Sequence, residues 1–278
     1  MTAYILRRKK LGKTSCEAIV ALSKEGIKLF RNDAKLPEDA DLCIRWGCTS
    51  NVPQKNVINS AKAIHLVSDK TTFREMMDEH KLCPKTFTDE EVIFDTYNWE
   101  SPLIVRPRVH HQGRNLYVCH GVADLMVAAS KCGDGWYAGQ FIDKVAEYRV
   151  FCMSGRVLAV AKKTPADEKA VAWNVAQGGR FDNVRWDDWP LKAVKVSLKA
   201  FALSGLDFGG VDIMVDKDGG CFVLEINSAP SLTSPYRQEC MAKGMDYIVK
   251  HGKAVIPMSD KPGGYLKFIH PAVCDRAF

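Results

Sequence analysis

Gly210-Val211-Asp212-Ile213-Met214-Val215 and Leu224-Glu225-Ile226-Asn227-Ser228-Ala229-Pro230-Ser231-Leu232-Thr233 flank the turn signal Asp218-Gly219, and how these two segments pair decides the reading of the chain. Asp-Gly between β-rich runs suits a two-residue type I′ turn. With that turn, paired residue numbers sum to a constant, and Asp212 falls opposite Glu225. Directly opposed residues in an antiparallel pair hold their Cβ atoms about 4.5–5.5 Å apart. Asn227 lies two residues beyond Glu225, so both point to the same face. Two carboxylates at about 5 Å repel by about 3 kcal/mol at an effective dielectric near 20. A bound cation would relieve that repulsion, and an all-oxygen donor set without Cys or His suits magnesium. The plain alternative is a solvent-facing strand with unrelated acids, which a slipped five-residue loop would favour.

Outward from this hairpin, the same counting applies to residues 147–162. A turn at Ser154-Gly155 sets Glu147 opposite Lys162 and puts Arg149 on the same face, with Tyr148, Val150 and Cys152 on the other. An exposed cross-strand ion pair, contributing under about 1 kcal/mol, is the ordinary reading of such a pair. Upstream, Leu103-Ile104-Val105 is a strand ending at Arg106-Pro107, followed by Arg108, His110, His111, Gln112, Gly113 and Arg114. These cationic donors beside a turn suit a polyphosphate. With one glycine the loop is neither a Walker loop nor a dinucleotide fingerprint, and surface histidines would look the same.

The remaining sequence reads as α/β units. Residues 3–6 form a strand, 15–24 a helix with Cys16, Ile19, Val20 and Leu22 inward, 41–46 a buried strand, 56–61 a helix and 63–67 a strand. Such alternation predicts a parallel sheet. Ser68-Asp69 caps a helix over 70–80 that turns Phe73, Met76 and Met77 inward, and Pro84 ends that unit. A strand over 116–119 precedes a helix over 122–130; hairpins dominate from Trp136, and a helix spans 191–203. The expected partition is 1–67 as an N-terminal α/β domain, 68–135 as a small subdomain, 136–257 as a larger subdomain with the metal site, and 258–278 as an appendage.

Composition bounds the class. Of 278 residues, 46% are hydrophobic and 26% charged, which excludes a disordered or fibrous chain. No apolar run approaches the ~20 residues of a membrane span. The basic cluster Arg7-Arg8-Lys9-Lys10 follows the apolar start, the reverse of a secretory signal. Ten dispersed cysteines without a Cys-x-x-Cys pair fit free thiols in a reducing, cytoplasmic setting rather than zinc or a disulfide scaffold. The net charge of +6 is mild and leaves nucleic acid open as a partner without arguing for it.

These pieces in this order resemble the ATP-grasp superfamily over most of residues 60–235, closest in pattern to the RimK-like carboxylate–amine ligases. Ser68-Asp69-Lys70 with Phe73-Arg74 and Pro84-Lys85-Thr86-Phe87 looks like the family's link between its first domain and its nucleotide domain. Ile104-Val105-Arg106-Pro107 looks like its phosphate-gripping strand, Gln140-Phe141-Ile142 its adenine hinge, and Glu147-Tyr148-Arg149-Val150 the strand that follows. Asn174 with Gly178-Gly179 resembles a substrate-side loop, and the acids and amide at 212, 225 and 227 fall at the family's separations. The resemblance implies an ATP-grasp fold, with an N-terminal parallel-sheet α/β domain and two α+β subdomains clasping ATP. It implies that Asp212, Glu225 and Asn227 hold two magnesium ions (or manganese), and that Lys70 and Arg106 bind phosphates. Gln140, Phe141 and Ile142 would read adenine and Glu147 would face the ribose. Arg149, Lys162 and Asn174 would serve catalysis. The implied reaction joins a carboxylate to an amine, of an amino acid, peptide or protein, through an acyl phosphate.

Two departures stand out: Arg106 replaces the family's usual Lys, and the His110-His111-Gln112-Gly113 loop replaces a glycine-rich flap. Arginine still grips phosphate, with a different geometry. The competing functions are a kinase of the same fold that stops at phosphate transfer, a non-catalytic nucleotide-binding module, and a nucleic-acid-binding protein. The intact acidic cluster argues against a dead site, and the absence of an interleaved aromatic and basic stripe argues against nucleic acid.

Overall fold

The computed structural model describes residues 1–8, 15–108, 115–133, 135–167, 170–173 and 178–254. Its first unit comprises β1 (Ala3–Arg7), α1 (Ser15–Leu22), β2 (Lys28–Arg31), β3 (Leu42–Trp46) and β4 (Val57–Ile58). The strands form a parallel sheet in the order β2-β1-β3-β4. All five residues of β3 are buried, as expected for a central parallel strand covered on both faces. In α1, Cys16 and Ile19 are buried, but Leu22, expected inward, ends the helix and is 46% exposed.

Two further expectations fail here. Residues 56–61 hold β4 rather than a helix, and 63–67, expected as a strand, lie in α2 (Ala61–Ser68). A short apolar run does not distinguish a buried strand from a buried helix. Ser60 decides it, because its side chain accepts from the Ala63 N–H and caps the first turn. Ala63, Ile64 and Val67 then share the buried helix face, while His65 is exposed. Helix α3 (Lys70–Glu79) follows at once, capped by Asp69 and burying Phe73 and Met77, with Met76 half-buried.

The second sheet contains β5 (Thr86–Phe87), β6 (Leu103–Pro107), β7 (Tyr117–Cys119) and β8 (Trp136–Gln140), with α4 (Glu90–Thr96) after β5 and α5 (Val122–Cys132) after β7. Its order is β5-β8-β6-β7, antiparallel throughout. Leu103, Val105 and Ala138 form its core with Ile93 of α4 and Leu125 and Ala128 of α5.

The third sheet is built from β9 (Lys144–Met153), β10 (Arg156–Thr164), β11 (Arg180–Asn183), β12 (Phe208–Asp216) and β13 (Cys221–Asn227). Helix α6 (Leu191–Ser204) precedes β12, and α7 (Pro235–His251) follows β13. The order is β11-β10-β9-β12-β13, all antiparallel. On one face Val150, Val160, Val211 and Ile213 meet Val194, Leu198 and Phe201 of α6, together with residues of α2 and α3. On the other, Phe151, Met153 and Leu158 meet Met241, Met245 and Ile248 of α7 and the core of the first sheet. A Cβ on Gly244 of α7 would sit 2.4 Å from Met153 Sδ, so Met153 would have to shift to admit a larger residue there. Further contacts tie the first sheet to the third. Trp46 stacks on Phe208 at 5.2 Å. Asn59, at φ 61°, accepts from the Asp207 and Phe208 amides and donates to the Phe208 carbonyl.

Both decisive hairpins differ from the expected ladders. Ser154 and Gly155 do form a two-residue turn, with Arg156 paired to Met153 and Val157 to Cys152. A bulge at Leu158 then shifts the register, so Glu147 pairs with Lys163 and not with Lys162. Because side chains alternate along a strand, that one residue moves Lys162 to the opposite face. Lys162 pairs with Tyr148 and is exposed, whereas Lys163 is buried. The β12–β13 turn runs through three residues rather than two: Val215 pairs with Cys221, and the Asp216 amide bonds the Gly220 carbonyl. A second irregularity at Leu224 restores the count, and Asp212 pairs with Glu225 after all.

Candidate active site

Asp212 lies in the centre of the third sheet, so it has a strand on each side. Arg149 is its pairing partner on β9 and Glu225 its partner on β13. Arg149 Nε and Nη2 donate to the two Asp212 oxygens at 2.5 and 2.7 Å, a buried two-pronged ion pair. Gly210 makes room for it: a Cβ there would meet Arg149 Cδ at 3.2 Å and Pro230 Cβ at 3.0 Å. Lys163 Nζ is 3.5 Å from Asp212 Oδ2 and donates to Glu147 Oε1. Lys144 Nζ donates to the other Glu147 oxygen at 2.5 Å. On the far side of Asp212, Glu225 receives the Asn227 amide at 3.0 Å and lies 3.1 Å from Lys70 Nζ.

The cations and acids alternate across this face, and that alternation sets the electrostatics. Lys70 foremost holds the Glu225 carboxyl below the usual carboxylate range; burial opposes this, and Asn227 and Arg149 add to it. Burial works against the charges of Arg149 and Lys163, but the facing carboxylates, Asp212 first, overcome it and raise both. Lys144 goes the other way, pushed down by burial despite Glu147. Burial likewise lowers Arg106, against the pull of Tyr137 and Glu225.

Apart from Arg149, these groups line one cavity of about 830 Å³, a size suited to a nucleotide-scale ligand. One wall carries Gln140, Phe141 and Ile142; another carries Lys70 and Arg106; its floor carries Glu147, Lys163, Asp212, Glu225 and Asn227. The structure thus gathers the residues singled out at 70, 106, 140–142, 147, 212, 225 and 227, with Arg149 gripping Asp212. Lys162 is not among them. Asn174 and His110 to Arg114 lie outside the described residues. The Gln140 and Phe141 amides are bonded within the second sheet, to the Lys85 and Pro102 carbonyls.

Sequence reasoning missed Lys163, Lys144 and Trp173. Lys144 Nζ sits 4.6 Å from the Trp173 ring centroid, and both side chains line the cavity. It also missed that Arg149 shares the Phe181 ring of β11 with two further cations: Arg149, Lys163 and Arg237 approach that ring to 4.7, 5.5 and 5.9 Å. The Glu147–Lys163 offset would have been found only by anticipating the bulge.

The repulsion expected between Asp212 and Glu225 is already relieved by Lys70, Arg149 and Lys163. The pair does not by itself demand a metal. Its chemistry still fits one: two opposed carboxylates and an amide give hard oxygen donors, and phosphate and water would complete an octahedral shell. Among the described residues, no group of three or more His, Cys, Asp or Glu side chains could hold a metal ion, and no helix is long and apolar enough to cross a membrane.

A profile of the family described as RimK-like ATP-grasp domain matches residues 67–245. The alpha-aminoadipate–LysW ligase LysX of Saccharolobus solfataricus is 24% identical over 256 residues, covering 81% of this chain and 88% of that protein. D-alanine–D-alanine ligase from Bacillus anthracis superposes with a TM-score of 0.65 at 13% identity, over 90% of this chain and 96% of its own. The macrocyclase MdnC of Microcystis aeruginosa MRC, bound with precursor peptide MdnA, gives a TM-score of 0.61 at 14% identity, over 87% and 98%. At those identities the two structures speak for the fold.

Proposed function

This chain belongs to the RimK-like ATP-grasp domain family, and from that premise we propose that it is an ATP- and magnesium-dependent ligase that joins a carboxylate to an amine. The observation that carries the proposal is the direct pairing of Asp212 with Glu225 on the floor of a nucleotide-sized cavity. Metal ions held there, two in this reading and replaceable by manganese, would screen phosphate charge and orient the terminal phosphoryl group.

The chain's own groups have distinct proposed tasks. Lys70 and Arg106 hold phosphate oxygens, and residues 140–142 hold adenine. Glu147, expected beside the ribose, has both oxygens bonded to Lys144 and Lys163; its proposed task is to orient those lysines. Arg149 and Lys163 stabilise charge on the transferring phosphoryl group, with Lys163 in the part first assigned to Lys162. Asn174 belongs to the substrate-side loop. A substrate carboxylate oxygen attacks the terminal phosphorus and ADP leaves; the amine then attacks the acyl carbon and phosphate leaves. In the proposed domains the boundary expected at 135/136 moves to residues 141–143, between the second and third sheets, because β8 pairs with β5 and β6 in the second sheet; the other boundaries follow the sequence partition. The proposed substrates are amino acids or peptides: the relatives include an aminoadipate–LysW ligase and a macrocyclase bound with a precursor peptide. The free thiols fit a cytoplasmic setting.

The test is a screen of carboxylate and amine pairs for phosphate release with ATP and magnesium. A ligase releases phosphate only when both partners are present. Stable transfer of phosphate to one substrate, with no dependence on an amine, would make the protein a kinase and defeat the proposal.

A further inference from the structure

The carboxylates of the β12–β13 hairpin are held by tethered cations. Lys70 Nζ sits 3.1 Å from Glu225 Oε2, from the first turn of α3, while its backbone belongs to the helix that follows α2. It also donates to the Val67 carbonyl at 3.4 Å. Asn227 takes Glu225 Oε1. Both Glu225 oxygens are therefore engaged, and a divalent ion arriving alone meets the ammonium of Lys70 in the same cavity. An ion arriving on a polyphosphate meets a different situation. The phosphate oxygens offer Lys70 a new anionic partner at the moment Glu225 turns to the metal, so each charge keeps a counter-charge.

We propose that Lys70 is a placeholder cation that exchanges from Glu225 to a phosphate oxygen, and so makes metal binding depend on the nucleotide. This rests on the ATP-grasp reading of the same cavity and adds to it a function for the ion pair itself. By linkage, a group that makes metal binding depend on nucleotide makes nucleotide binding depend on metal to the same degree. Lys163 stands in a similar relation to Asp212, but Asp212 keeps Arg149 on both oxygens. Lys70 is the cation within ion-pair distance of Glu225 among the described residues, so its removal gives the clearest signal.

The experiment is a titration of manganese without nucleotide, reading free Mn²⁺ by electron paramagnetic resonance, in wild type, Lys70→Met, Lys70→Arg and Lys70→Met with Glu225→Gln. Lys70→Met should bind Mn²⁺ alone about tenfold more tightly than wild type, the scale of one charge-assisted contact. It should bind Mn²⁺–ATP more weakly. Lys70→Arg should behave as wild type, and the double variant should lose the gain, which assigns the new affinity to this site. Melting curves establish that each variant is folded. Affinity for Mn²⁺ alone that is unchanged or weaker in folded Lys70→Met overturns the exchange. Failure of wild type to bind Mn²⁺–ATP would overturn the ligase reading together with it.

Discussion

Hairpin β9–β10 turns through two residues, Ser154 and Gly155 at φ 43° and 74°, whereas hairpin β12–β13 turns through three, with Gly219 at 75°. The first keeps the simple turn and then slips at Leu158; the second has the longer turn and is corrected at Leu224. One irregularity changes which side chains face the cavity, and two restore them. Lys163 therefore stands where a regular ladder would put Lys162, while Asp212 still meets Glu225. Register at a site depends on the parity of all irregularities between it and the turn. Bulges are common beside active sites because they re-aim side chains, and Leu224 itself lines the cavity.

The largest expected effect comes from the hairpin whose register survives. Asp212→Ala removes a cavity acid and leaves Arg149 and Lys163 buried without their shared partner. Ligand-dependent ADP formation should fall by about 10²–10³, the scale of losing one preorganised electrostatic group. Chemical denaturation should show a loss of about 3–5 kcal/mol for a broken buried pair.

The two hairpins are separated most sharply by the adjacent lysines. Lys163→Met should reduce the rate of ADP formation by about 10², whereas Lys162→Met should leave the rate unchanged and stability within about 0.5 kcal/mol. The opposite ranking would mean that the Leu158 bulge is absent in solution.

The turns supply smaller effects. Gly219→Ala meets no atom within 4 Å, so its cost is the left-handed backbone alone, about 1 kcal/mol by denaturant unfolding. Ser154 already carries such a conformation, and its buried hydroxyl has no hydrogen-bond partner among the described residues. Ser154→Gly should stabilise by about 0.5 kcal/mol, the relieved strain being partly offset by added freedom in the unfolded chain.

The acidic site was legible because hydrophobic alternation and an Asp-Gly turn signal survive in the sequence even where the turn is one residue longer. The parallel first sheet was legible from alternating strands and helices, although residues 63–67 read as a strand where the structure has α2. Its Ile64 and Val67 satisfy either pattern until Ser60 is recognised as a cap. The partners of Glu147 were not legible. Its two oxygens are shared between Lys144, close in sequence, and Lys163, delivered from β10 by the bulge. Arg237 was invisible for a similar reason. It is buried beside Phe151 and Phe181 and bonds Asn183 and Thr233, a meeting of β9, β11 and α7 that no local motif encodes.

Thermal unfolding with and without magnesium–ATP tests the joint of metal, phosphate and hairpin most directly. At about a hundred times its dissociation constant, the ligand should stabilise wild type by about 2.7 kcal/mol, and Asp212→Ala and Glu225→Ala should lose most of that gain. A wild-type melting temperature unmoved by saturating nucleotide and metal would contradict the assignment.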